Sequence, residues 1–92
     1  MSLKNEMRRL MVRHLHRPDL AFSLTETDPG SYEAVFPGKR LPPMDYDGLI
    51  RALSAKARVK ATDDTGFDAA VFSGHLKGEP VVLFLRASVP LV

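Results

Sequence analysis

Three groups of side chains in this 92-residue chain are of types that do chemistry, and their spacing decides what each could do. Asp63, Asp64 and Asp68 supply hard carboxylate oxygens of the kind that hold Mg²⁺ or Ca²⁺. Their spacing matches neither a calcium loop nor a glycine-rich phosphate loop, and solvated turn carboxylates are the simpler account. His14 and His16 are two apart in a stretch with helical periodicity, so they project about 200° from one another and cannot chelate one ion. His14 falls within the apolar arc, as a packed or capping histidine does. His75 stands close to Ser73 at a hairpin end, but no ordered acid and no oxyanion hole accompany the two, so a nucleophilic site lacks half its parts.

Asp64-Thr65-Gly66 spells the triplet of aspartic proteases, and the chain has about the size of a dimeric retroviral protease subunit. In that family the triplet follows an apolar strand early in the chain, and two such aspartates are buried together to share a proton. Here Thr62-Asp63 precedes it and only 26 residues follow, so a plain β-turn is the reading. No complete catalytic or metal-binding set remains. The expectation is a non-enzymatic protein without cofactor.

The third group is basic. Arg9, Arg13 and Arg17 recur every four residues, and Lys56, Arg58 and Lys60 alternate along a strand-like segment. Contact with an anion, above all phosphate, is the chemistry such rows offer. No aromatic residue is interleaved with either row, no recognition-helix or RNA-binding signature is present, and the formal net charge is only +2. A solvated face is the alternative. The charge is unevenly placed, however: residues 1–17 carry five basic residues against Glu6, whereas Asp19 to Asp47 holds six acidic residues against Lys39 and Arg40.

The elements that must position these groups follow from periodicity. Leu3, Met7, Leu10, Met11 and Leu15 line one face of a helix over 3–16, with Asn5, Arg9, Arg13, His16 and Arg17 opposite and Pro18 ending it. Leu20–Thr25 and Tyr32–Phe36 alternate as half-buried strands around the Asp28-Pro29-Gly30 turn, with Phe36-Pro37-Gly38-Lys39 as another turn. Tyr46, Leu49, Ile50, Leu53 and Ala57 share a face of a second helix over 44–57, capped by Asp45 and weakened by Gly48. A short strand at 58–62 stops at Asp63-Asp64-Thr65-Gly66. Phe67–Leu76 and Val81–Ser88 are the last strands, joined by a hairpin turn.

The order α-β-β-α-β-β-β, without regular βα alternation, predicts an α+β domain over 1–92: a small antiparallel sheet of about five strands with two helices on one face. The run Val81-Val82-Leu83-Phe84-Leu85 suits a buried strand and is far too short for a membrane span, and the N-terminus has no apolar leader core. Absence of cysteine removes disulfides and thiolate metal sites and fits a reducing compartment. Cytoplasmic location without membrane insertion is expected.

From His16 onward the chain resembles the domain that precedes the motor in type II secretion and type IV pilus ATPases. Arg17-Pro18-Asp19-Leu20-Ala21-Phe22 stands where that family has Ala-Ser-Asp-(apolar)-His-(apolar), and Phe36-Pro37-Gly38-Lys39-Arg40-Leu41 where it has an Asp-Gly-x-Leu turn. The second helix is similar to its Leu-Ile-x-Arg-Leu-Lys helix, and Gly78-Glu79-Pro80-Val81-Val82-Leu83-Phe84-Leu85 to its Gly-Glu-x-Val-Val-(apolar)-Arg-Leu strand. The family's Pro-Gln-Asp-Gly-Arg loop is missing near Asp63-Asp64-Thr65-Gly66, Phe84 replaces the strand arginine, and the nucleotide-binding motor is absent. The resemblance implies a docking or assembly module with no ATPase activity carried over.

An open sheet also has edges that must be covered, charged or paired. With no catalytic set, the expected function is a non-enzymatic protein-interaction module, docking on itself or on a larger complex. The alternative is a nucleic-acid-binding domain that uses the basic rows.

Overall fold

The computed structural model describes residues 2–17, 19–62 and 66–91, and within 57–62 the backbone only. The first helix, α1 (Leu3–His14), starts where the Ser2 hydroxyl accepts from the Asn5 N–H at 3.2 Å. It ends two residues short of the expected span. Leu15 turns to extended backbone, is buried, and bridges Met44, so burying that leucine against the second helix's entry segment wins over another helical residue. Pro18, expected as the terminator, lies outside the described residues.

Strands β1 (Ser23–Asp28) and β2 (Ser31–Phe36) form a hairpin through Pro29-Gly30, with Gly30 at φ +82°. The segment from Leu20 expected to begin the first strand is not yet paired, although the Phe22 ring already packs 5.1 Å from that of Phe36. Helix α2 (Tyr46–Leu53) is capped by Asp45, whose Oδ1 accepts from the Gly48 N–H at 2.9 Å. It closes at Ser54 in the left-handed region, φ 50°, and so stops short of Ala57. Gly48 has a positive role here: a Cβ would collide with the Asp45 carboxylate and the His14 ring, so glycine lets the cap and α1 sit against the helix.

Strands β3 (Lys56–Thr62), β4 (Asp68–Leu76) and β5 (Glu79–Ala87) follow. Lys77 and Gly78, both at positive φ (53° and 80°), make the two-residue turn between β4 and β5, whose twist matches that of the strands it joins. The turn expected at 63–66 lies outside the described residues except for Gly66.

The sheet order is β1-β2-β5-β4-β3. The antiparallel expectation is corrected at one pair: β2 and β5 run parallel, from Ser31 opposite Val82 to Phe36 opposite Ala87. Hairpin turns join β1 to β2 and β4 to β5, so those pairs are antiparallel. β2 and β5 are joined only through residues 37–78, which cross over by way of α2 and return the chain to enter the sheet in the same sense. The fold is α+β with two helices and a mixed sheet.

One core holds the layers together. Met7 and Met11 of α1 and Leu49 and Leu53 of α2 meet Phe36, Phe72, Leu83 and Leu85 of the sheet, all fully buried. Each side chain of this size contributes about 1.5–3 kcal/mol on leaving water. Both helices pack on this one face. The 81–85 run is not buried on both sides, as its composition suggested: Val81, Leu83 and Leu85 point into the core, while Val82 and Phe84 point away from it.

Candidate functional site

Residues opposite each other in a ladder share a face, so the register fixes what the helix-free side presents. Thr25, Glu33, Phe84 and Val71 form one row across β1, β2, β5 and β4. Asp28, Ser31, Val82, Ser73 and Lys56 form the next row, which spans all five strands. Ser23, Val35, Arg86 and Ala69 form a third. Among the described residues neither α1 nor α2 covers these rows. Val82 is 39% exposed, and Val35, Val71 and Phe84 are half-buried by their neighbours on the same face. Arg86 ties the centre: its Nε lies 3.6 Å from Glu33 Oε2 and its guanidinium 4.7 Å from the centre of the Phe67 ring. The result is an apolar patch containing an ion pair, which suits a protein surface better than a free anion.

Where this face reaches the α2 end of the sheet lies an open cleft of about 520 Å³, lined among others by Ser31, Ser54, Lys56, Ser73 and His75. Its hydroxyls, one ammonium and one imidazole can bind a carbonyl, carboxylate or phosphate oxygen. Ser73 and His75 lie on the same face of β4 and are both exposed.

The basic residues singled out from sequence fall in separate places. Arg9 and Arg13 are exposed on α1, Arg9 within 3.3 Å of Glu6. Arg17 is exposed but lies beyond the helix end, so the expected three-residue stripe is broken after Arg13. Lys56 is exposed at the start of β3, the edge strand farthest in the sheet from β1, on which α1 packs. The side chains of Arg58 and Lys60 lie outside the described residues. Among the described residues, Arg9 and Arg13 on α1 and Lys56 on β3 therefore flank different parts of the molecule.

The other candidates resolve into structural roles. Asp68 is 3% exposed, and its Oδ2 accepts from the buried Leu41 N–H at 2.8 Å, tying the 37–45 segment to β4. Asp63 and Asp64, its proposed companions, lie outside the described residues. His14 Nδ1 is 2.9 Å from the Leu10 carbonyl oxygen, a packed, hydrogen-bonded histidine. The His16 backbone N–H donates to the Pro43 carbonyl at 3.2 Å. Among the described residues no three His, Cys, Asp or Glu side chains group as metal ligands.

Two tyrosines have displaced hydroxyl pKa values. Burial, and secondarily the Asp68 charge, pushes Tyr46 up to about 12. Its hydroxyl donates to the Pro42 carbonyl at 3.1 Å, and its ring stacks 6.4 Å from that of Phe72. Tyr32 is raised by burial first, then by the charge and hydrogen bond of Glu26. Both belong to the scaffold.

The helix-free patch escaped sequence reasoning because Val82 and Phe84 sit inside an unbroken apolar run. The signal lay in β2, where Glu33 and Val35 alternate with core residues and therefore face the other way.

Comparison of the chain with protein-family models, with curated proteins and with solved structures finds no match in any of the three. Among the described residues no helix is long and apolar enough to cross a membrane.

Proposed function

We propose that this chain is a non-enzymatic interaction module that docks on itself or on a larger protein assembly through the helix-free side of its sheet. The observation that carries the reading is the patch of Val35, Val71, Val82 and Phe84 on a face that neither helix covers. The resemblance to the domain preceding the motor of secretion and pilus ATPases points the same way. The nucleic-acid alternative draws less support, since the arginine stripe is interrupted and Lys56 stands at the sheet edge opposite the strand on which α1 packs.

Two measurements on purified protein test the reading. The first follows sedimentation with rising concentration and affinity capture by the parent chain beside Val82→Asp. A concentration-dependent mass, or a stoichiometric protein partner released by Val82→Asp, is expected. The second titrates the chain into labelled single- and double-stranded DNA and RNA at low and physiological salt. Binding that survives physiological salt and disappears in Arg13→Glu would overturn the docking reading in favour of nucleic acid.

A further inference from the structure

We infer that the partner of this module is a second copy of the chain, joined edge to edge, with the acidic strand β1 of one copy pairing against the basic strand β3 of the next. This contact keeps the self-docking of the proposed reading but lies at the sheet edges instead of on the helix-free face, so edge charge reversals and Val82→Asp tell the two apart. β1 and β3 are the two edges of the sheet. β1 (SLTETD) carries Glu26 and Asp28 and no basic residue; β3 (KARVKAT) carries Lys56, Arg58 and Lys60 and no acidic one. Charge on an edge strand normally blocks pairing between copies. Here it blocks only like edges: β1 against β1 sets acid opposite acid, β3 against β3 sets base opposite base, and β1 against β3 opposes opposite charges.

Strand directions permit that third arrangement. β1 is antiparallel to β2, β2 parallel to β5, β5 antiparallel to β4, and β4 antiparallel to β3, so β1 and β3 run in opposite senses within one molecule. Two copies set side by side with their helices on the same side then place β3 of one antiparallel to β1 of the other, the more stable ladder geometry.

The register matches as well. The row Asp28, Ser31, Val82, Ser73, Lys56 crosses the whole sheet with an acid at one end and a base at the other, both exposed. Continuing that row into a neighbouring sheet puts Lys56 of one copy beside Asp28 of the next, on the same helix-free face. Glu26 stands opposite the buried Tyr32 across a bulge and so faces the helix side, which leaves Asp28 and Lys56 as the opposed pair on the helix-free face. Because the two surfaces differ, the contact is heterologous. It leaves a free β1 at one end and a free β3 at the other, so growth continues past the dimer.

The test is sedimentation velocity of the full chain from micromolar to millimolar concentration at low and high salt, with thermal unfolding as a check that each variant folds. A ladder of species that grows with concentration and shrinks with salt is expected. Asp28→Lys and Lys56→Glu should each weaken association about tenfold. The double variant carrying both changes, or an equal mixture of the two single variants, should recover it. A monomer at every concentration overturns the inference and leaves docking on another protein standing. Self-association that ignores both charge reversals also overturns it, and moves the contact from the edges to the apolar face, where Val82→Asp would abolish it.

Discussion

Replacing Asp68 tests whether one buried carboxylate holds the loop that leads into α2. Its Oδ2 accepts from the Leu41 N–H at 2.8 Å, and both residues are buried. Asp68→Ala removes the acceptor and strands that N–H away from water, a loss of about 2–3 kcal/mol. Asp68→Asn keeps a carbonyl oxygen of nearly the same shape and forfeits only the charge assistance, about 1 kcal/mol. With a urea dependence of about 1 kcal/mol per molar for a chain this size, the midpoint should fall by ~2–3 M for alanine and ~1 M for asparagine. A second readout separates the local charge from general loosening. Absorbance titration of the tyrosinates should show Tyr46 below its value of about 12 in Asp68→Asn, yet still above 10, because burial is the larger cause; Tyr32, shifted by burial and Glu26, should not move. If Asp68→Ala unfolds at the parent's midpoint, or Tyr46 titrates unchanged in Asp68→Asn, the assignment of this aspartate to the loop anchor is wrong.

Gly74→Ala should destabilise the fold by several kcal/mol, since the new Cβ would collide with the backbone carbonyl oxygen of Leu53 and come within 3.0 Å of the Ala55 Cα, neither of which can swing aside; a urea midpoint equal to the parent's would argue against that close approach of α2's end to β4. The Tyr46 hydroxyl, held at about 12 against 10 in the unfolded chain, makes the folded state the tighter proton binder between those values. Its stabilisation is therefore complete below pH ~10 and lost as pH rises through ~12. The two-unit difference corresponds to ~2.7 kcal/mol, which the ring's partial exposure reduces to ~1–2 kcal/mol. Urea midpoints taken from about pH 9 upward should fall, with a shallower fall in Tyr46→Phe; the same slope in that variant would remove Tyr46 as the cause.

What the sequence made legible was whatever depends on neighbours in the chain. The 3.6-residue spacing of Met7, Leu10 and Met11 and the alternation of Tyr32, Ala34 and Phe36 are local signals, and both segments bury those residues. Asp45 as a cap and Asp28-Pro29-Gly30 as a turn are local chemistry too. Boundaries moved where a distant contact decided them: Leu15 left the helix for its bridge to Met44, and α2 ended at a left-handed Ser54. The parallel β2-β5 pair was invisible because no short segment encodes which strand lies beside which. The candidate face was hidden for the same reason. Phe84, Val71 and Glu33 come from three strands and meet only through their register.

The position of β5 has a consequence for how the chain is made. It is the last strand in sequence, yet it lies in the middle of the sheet, and its partner in β2 is far upstream, as with Ser31 opposite Val82. A ribosome delivers the β1-β2 hairpin and the β3-β4 pair before the strand that unites them. Each two-stranded ribbon is marginal alone, and the loop closure that joins them is a long-range step and therefore slow. Until Glu79–Ala87 emerges, the inner edges of β2 and β4 stand open, with Tyr32, Phe36 and Phe72 lacking much of their cover. For the nascent chain the hazard is thus at the future centre of the sheet, and the arrival of β5 both completes the core and covers the two open inner edges on which the chain could aggregate.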